Sequence, residues 1–152
     1  MSEKLDLIDL LIFHEGYRKY AYEDSVGVIS CGVGRNLDSV GLSHDEIMYL
    51  LQNDLIRCYA ELTNAFDWFP GLSEIRQQAM VNLCFNLGLT RLMRFKNALR
   101  SMEEGNYDEA ARHFLDSTWA RQVGERSSDI ATMIRDDKYP KRFKEQRKTI
   151  LH

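Results

Sequence analysis

The feature that most constrains this chain is a change in the period of its hydrophobic pattern. "YRKYAYEDSVGVISCGVGRN", residues 17 to 36, is rich in β-branched and aromatic residues, with glycines at turn or bulge positions. It is the one convincing β segment; on either side, apolar residues recur at helical spacing. Leu5, Ile8, Leu11 and Ile12 predict an amphipathic helix over residues 3–14, stopped by Gly16. Ser43 and Glu46 form a capping box in "SHDE", and Ile47, Leu50, Leu51, Leu55, Cys58 and Leu62 trace one face of a long helix behind it. "WFPG" then breaks the chain, Ser73 can cap "SEIRQQAMVNLCFNLG", and Gly88 can end it. Leu92, Phe95, Leu99 and Met102 give another face, and Asn106 with Glu109 can cap "YDEAARHFLDS". A further helix is expected from about Ser127 to Ile134, and a last one in the basic tail. One small sheet followed by successive helices is an α+β arrangement, mostly helical. The expected organisation is a single domain over 1–152, with a β-containing lobe at about 15–45 and a connecting helix at about 43–62. The larger helical lobe, about 63–152, would take in the N-terminal helix, and a cleft between two such lobes is a common place for a ligand.

Charge and cysteine usage exclude several function classes. The formal net charge of −3 argues against a dedicated nucleic-acid binder. The end of the chain, "KYPKRFKEQRKTILH", is nevertheless basic, with Lys138, Lys141, Arg142, Lys144, Arg147 and Lys148. It reads as a solvated helical tail that could approach a polyanion. Cys31, Cys58 and Cys84 are odd in number and widely spaced, giving neither a disulfide framework nor a zinc motif. Their apolar neighbours suggest buried free thiols and a reducing compartment. His14, His44 and His113 have no convergent acidic partners, so no metal or cofactor is expected. "MSEKLDLIDLLIFHEG" carries acids among its apolar residues and lacks a cleavage signature, and no apolar run is long enough to span a bilayer. The expectation is a soluble monomer made in the cytoplasm.

Three residues in the β segment carry chemistry. Glu15 precedes Gly16 at a helix C-terminus, the negative end of the helix dipole. That position disfavours a carboxylate and suits a group asked to hold and deliver a proton. Asp24 precedes "SVG", a wetter turn. A turn centred near Gly27 would place Asp24 opposite Ser30, about 4.5–5.5 Å apart at Cα. Two carboxylates in different environments with a hydroxyl nearby could break a glycosidic bond. The same residues also read as an exposed helix end, an ordinary turn aspartate and a small satisfied hydroxyl. Cys31, next to Ser30, would point to the opposite face and pack. Trp119 could stack on a sugar or close the core.

Glu15, Asp24 and Ser30 match, in spacing, the Glu, eight residues, Asp, five residues, Thr pattern of phage-type lysozymes, with Gly32-Val33-Gly34 following. The chain resembles this group, glycoside hydrolase family 24, which includes T-even phage lysozymes and lambdoid phage endolysins. The resemblance continues through "GLSHDEIMYLLQNDL", "RQQAMVNLCFNLG", "FKNALRSMEEGNYDEAARHFLDSTWARQ" and "VGERSSDIATMIRD", about residues 5 to 140. It implies a lysozyme-like fold and hydrolysis of the β-1,4 bond between N-acetylmuramic acid and N-acetylglucosamine, with inversion at the anomeric carbon. Carried over by position, it implies Glu15 as general acid, with Asp24 placing the attacking water and stabilising positive charge. Ser30 would hold that water, and Arg126 would lie near Glu15. Gly34, Phe85, Asn86, Trp119 and Gln122 fall at cleft-wall positions. It also implies peptidoglycan glycan strands as substrate, host lysis as the setting, and a holin to give access to the wall. Ser30 stands where the family has Thr, which keeps the hydroxyl but loses the methyl that restricts χ1. Arg35 and the short stretch from Asn36 to Ser43 also depart from the T-even pattern, implying a trimmed β lobe. A lytic transglycosylase and a wall-binding scaffold are the competing readings; the Asp24–Ser30 pair favours water over cyclisation.

Overall fold

The computed structural model describes residues 6–147. The first residues of the predicted N-terminal helix and Lys148 of the basic tail lie outside that range. The chain divides into two compact units, Met1–Leu51 and Gln52–His152.

In the first unit, α1 spans Leu7–Glu15. Asp6 caps it by accepting a hydrogen bond from the Asp9 N–H at 2.9 Å. Gly16, at φ +88°, ends it, and its N–H donates to the Ile12 carbonyl. The helix buries none of its residues, and Leu7, Ile8, Leu10 and Phe13 stay exposed. "LIDLLIF" carries apolar residues on every side, so the single buried face read from Ile8 and Leu11 does not form.

Three antiparallel strands follow in the order β1 (Arg18–Glu23), β2 (Ile29–Gly32) and β3 (Arg35–Asn36). Tyr22 faces Ser30 and Glu23 faces Ile29, and a bulge shifts the register between Arg18 and Tyr22. The connection to the next helix is short and closed by its own polar groups. Asn36 Oδ1 accepts from the Asp38 and Ser39 N–H groups, both at 2.9 Å, and Asp38 Oδ2 accepts from the Ile29 N–H at 3.0 Å. The capping box forms at the start of α2 (His44–Ala65): Ser43 N–H donates to Glu46 Oε1, and Glu46 N–H to Ser43 Oγ.

The second unit is helical: α3 (Glu74–Leu87), α4 (Leu89–Leu92), α5 (Lys96–Glu103), α6 (Tyr107–Leu115), α7 (Thr118–Val123), α8 (Glu125–Asp136) and α9 (Lys141–Gln146). The far end of α2 supplies Cys58 and Leu62 to its core. Phe69, Met80, Leu83, Leu92, Met102, Phe114, Ile130 and Ile134 are among its largest fully buried side chains. The N-caps expected at Ser73 and Asn106 are present, accepting from the Arg76 and Glu109 N–H groups. Helices α4 and α7 are too short to show a period, which is why the sequence pattern passes over them. Arg76 joins α3 to the end of α8: its guanidinium donates to the Ile134 and Arg135 carbonyls at 2.7 and 3.2 Å and lies over the Tyr107 ring. A cation there satisfies orphan carbonyls and complements the helix dipole. No helix among the described residues is long and apolar enough to cross a membrane.

Candidate active site

Helix α1 ends on Glu15, which is exposed, and places its carboxylate against the turn between β2 and β3. Gly34 in that turn adopts φ +65°, and a Cβ built on it would stand 2.7 Å from Glu15 Oε2 and 3.1 Å from its carboxyl carbon. A glycine suits both the left-handed backbone and this close approach, since a Cβ would push the Glu15 carboxylate aside. Gly34, expected as a wall for substrate, is thus also the surface on which the carboxylate of Glu15 rests. Within the first unit that carboxylate accepts no hydrogen bond.

Asp24 heads the β1–β2 turn. Its backbone N–H donates to the Val28 carbonyl at 2.8 Å, and its Oδ1 accepts from the Val26 and Val28 N–H groups at 2.9 and 2.8 Å. Both bonds use the same oxygen, so the turn fixes the carboxylate while leaving Oδ2 for water. Gly27, at φ +85°, closes the loop with an N–H to the Asp24 carbonyl. The turn is therefore centred on Val26, and Asp24 faces Val28. This corrects the register read from the sequence, in which Asp24 lay opposite Ser30.

Ser30 faces Tyr22 on β1 and Asn36 on β3. Tyr22 and Asp24 alternate onto one face, so Asp24 and Ser30 are diagonal neighbours on that face, a spacing of about 7–8 Å across a ladder. Such a gap suits a bridging water better than a direct bond. Ser30 is 4 % exposed and makes no hydrogen bond through its hydroxyl with any described residue. No fully buried polar side-chain atom is left unpaired, so the small exposed part of Ser30 includes its oxygen. Cys31 points the other way and is half-buried, its thiol donating to the Arg18 and Lys19 carbonyls at 3.7 and 3.6 Å.

Arg35 braces this platform. Its Nη1 donates to the Gly41 carbonyl at 3.1 Å and to Glu46 Oε1 at 2.7 Å. The Arg35 guanidinium, with the Ser43 N–H, holds the Glu46 carboxyl down to about 2, against an ordinary value of 4.5. A cavity of about 470 Å³ in the first unit is lined by Cys31, Arg35, Glu46 and Leu50 among others, and by none of Glu15, Asp24 or Ser30. Outside it, Glu15 is exposed, Asp24 half-buried and Ser30 buried.

The other expected site residues belong to the second unit. Phe85 and Asn86 stand exposed near the end of α3. Trp119 is buried on α7, edge-on to Phe95, and its Nε1 donates to Asn86 Oδ1 at 2.8 Å. Trp119 therefore closes the core while fixing the Asn86 amide. Gln122 and Trp119 line a cavity of about 370 Å³ together with Arg91 and Arg94. The sequence reading passed over these two arginines; their i, i+3 spacing in "TRLMR" after Gly88 is the signal that could have found them. Arg126 Nε donates to Asn82 Oδ1 at 3.0 Å. Cys58 and Cys84 are buried free thiols. Burial, with Cys58 and Glu61 beside it, pushes the Cys84 thiol up to about 12, so it is a packing group without nucleophilic character. No cluster of metal ligands occurs among the described residues.

Comparison with known proteins bears on this arrangement. Residues 13–135 match the Phage lysozyme family. Two curated relatives from Dictyostelium discoideum, named Probable T4-type lysozyme 1 and Probable T4-type lysozyme 2, are each 24 % identical to the chain. The first similarity covers 83 % of this chain and 91 % of that protein, the second 84 % and 92 %.

Proposed function

The chain belongs to the phage lysozyme family and is a lysozyme-type peptidoglycan hydrolase, and from that premise we infer that it cleaves the β-1,4 bond between N-acetylmuramic acid and N-acetylglucosamine by acid-assisted attack of water. Glu15 protonates the leaving oxygen. Asp24 directs water through its free Oδ2 and faces the positive charge that develops on the sugar, and Ser30 holds the same water from the neighbouring strand. The observation that carries this reading is the division of labour on Asp24: one oxygen is spent on two backbone N–H groups, the other is free and shares a face with the Ser30 hydroxyl. A single anchored oxygen lets a carboxylate aim without being neutralised by a partner. Phe85, Asn86 and Gln122 contribute sugar contacts, the Asn86 amide being fixed by the Trp119 N–H. The biological setting is lysis of a bacterial host for phage release. The enzyme is made in the cytoplasm, in keeping with its three free cysteines, acts as a monomer and reaches the wall through a membrane-permeabilising holin.

Turbidity loss of chloroform-treated Gram-negative cells tests the assignment. Wild type clears the suspension, and Glu15→Gln slows clearing by about 10²–10⁴-fold without changing the thermal midpoint. Lysis undiminished in Glu15→Gln would remove Glu15 as the acid. Mass spectrometry of the fragments separates hydrolysis from transglycosylation: reducing ends support water as the acceptor, and anhydro sugars would replace this reading with cyclisation. Proton NMR of fresh product reads the anomer, which inversion makes the α form.

A further inference from the structure

The sheet of the first unit has two faces, and the proposed chemistry uses one. Ser30 and Cys31 are consecutive on β2, so Cys31 lies on the reverse of the strand that carries Ser30. Cys31 lines the cavity of about 470 Å³ described above, which is in the range of small-ligand sites. Val33, Leu37, Leu42 and Leu50 give that cavity apolar walls, and Val33, Leu42 and Leu50 are 38 %, 41 % and 49 % exposed. A neighbouring hollow of about 430 Å³ shares Leu42 and Leu50 and adds Tyr49, so the apolar surface continues along the first turns of α2. One polar pair stands on the lining. Arg35 spends a single nitrogen, Nη1, on both the Gly41 carbonyl and Glu46 Oε1, and its Nε and Nη2 donate to no described residue. Glu46 is the only acid on this lining, and it is already held by Arg35 and the Ser43 N–H. Because Glu46 balances the charge of Arg35, what the cavity offers is a hydrogen-bond fork rather than a diffuse positive field. Nε and Nη2 make up one edge of the guanidinium, and such an edge grips the two oxygens of a carboxylate side by side.

We propose that this cavity binds a single-chain carboxylic amphiphile, a long-chain fatty acid in its chemistry, with the chain along the valine and leucine walls and the carboxylate on the Nε–Nη2 edge of Arg35. Apolar walls with one free fork match a molecule that is apolar along its length and polar at one end. A neutral hydrocarbon leaves the fork unused, and a sugar leaves the apolar walls without a partner. The hollow is concave, which suits one chain, whereas a bilayer meets flat or convex apolar faces. The occupant lies behind Ser30 and does not compete with glycan, so the site goes beyond the hydrolase reading and does not depend on it. Cys31 makes occupancy readable: it is half-buried on the lining, whereas Cys58 and Cys84 are each 2 % exposed.

The test uses the full chain and dodecanoate below its micelle concentration, with dodecanol and hexanoate for comparison. Alkylation of Cys31 by N-ethylmaleimide is followed by peptide mass mapping, and Cys58 and Cys84 serve as internal controls for global opening. Saturating dodecanoate should protect Cys31 at one ligand per chain. Dodecanol, which lacks the charge, should bind about tenfold more weakly, the loss of a charge-assisted hydrogen bond. Hexanoate should bind more weakly than dodecanoate because it covers less of the wall. Arg35→Lys keeps the charge and loses the fork, so it should weaken dodecanoate about tenfold and leave dodecanol unchanged. Leu50→Ser, which leaves the ion pair in place, should weaken both long chains by about tenfold. Unprotected Cys31 at saturating dodecanoate would overturn the proposal, as would equal affinity for the acid and the alcohol. Protection seen only with phosphatidylglycerol vesicles would overturn it in favour of a membrane contact, and displacement of dodecanoate by a chitin oligosaccharide would overturn it in favour of a sugar site. A wild type that binds dodecanoate but fails to clear cells would remove the hydrolase reading and leave this site standing.

Discussion

The two units of this protein are held together by different means. Beyond Leu51 the chain packs an apolar core in which Leu62, Met80, Leu83, Leu92, Phe114 and Ile134 are out of contact with water. Before it, Ser30 is the only buried residue among those described, and order comes from ladder bonds, Asx-type contacts at Asp24 and Asn36, and glycines at positive φ. The residues assigned to proton and water handling are all in the second kind of environment. Burial gives stability roughly in proportion to apolar area, but it does not aim a carboxylate. Backbone N–H groups on one oxygen aim the Asp24 carboxylate, and a bare glycine leaves room for that of Glu15.

The comparison predicts that stability and chemistry can be damaged separately. Phe114→Ala should produce the largest effect, a loss of about 3–5 kcal/mol in denaturant unfolding, because it empties a fully buried ring site beside Phe95. Well below its new midpoint, the variant should still turn over; a kcat that collapses with the midpoint would break the distinction. Gly34→Ala should do the reverse. Its new Cβ must displace the Glu15 carboxylate, and a misplacement on the order of 1 Å can lower kcat about 10²-fold. The strained backbone adds a penalty of only about 1–2 kcal/mol, so a thermal midpoint falling as far as in Phe114→Ala would show that the turn is structural first. Ser30→Ala should lower kcat about tenfold by removing one hydrogen bond to the water, with the midpoint nearly unchanged; an unaltered rate would take Ser30 out of the site. The smallest effect is expected at Glu46. Its carboxyl is held near 2 by Arg35 and Ser43. The ion pair therefore contributes fully above about 4.5 and is lost as pH falls through about 2. NMR titration of the Glu46 carboxyl carbon reads this directly, and a midpoint of about 4.5 would mean the contact is not kept in solution.

Features written in single residues were legible in the sequence. Gly16 and Gly88 end their helices, Ser43 and Glu46 make their capping box, and Ser73 and Asn106 cap the helices assigned to them. The spacing of Glu15, Asp24 and Ser30 carried the family, and the match over residues 13–135 shows it. Long helices with a repeating apolar face were also readable, and α8 extends two residues past each expected end, from Gly124 to the left-handed Asp137. What the sequence hid depends on relations between segments. The turn centre fell on Val26 because Asp24 captures the Val28 N–H, and a shift of that size changes which residue faces Ser30. The pairing of Arg35 with Glu46 across eleven positions, and the gathering of Arg91 and Arg94 with Trp119, follow from packing and leave no local pattern. Helix α1 shows the limit of a period: its apolar residues repeat, but on all sides.

Glu46 Oε1 has a further, mechanical meaning. The same atom receives the Arg35 Nη1 from the last strand and the Ser43 N–H from the head of α2. A single oxygen thus acts as a rivet through two plates. Moving the strand end breaks a contact that also holds the opening turn of the helix. Sheet and helix head are tied through that one atom.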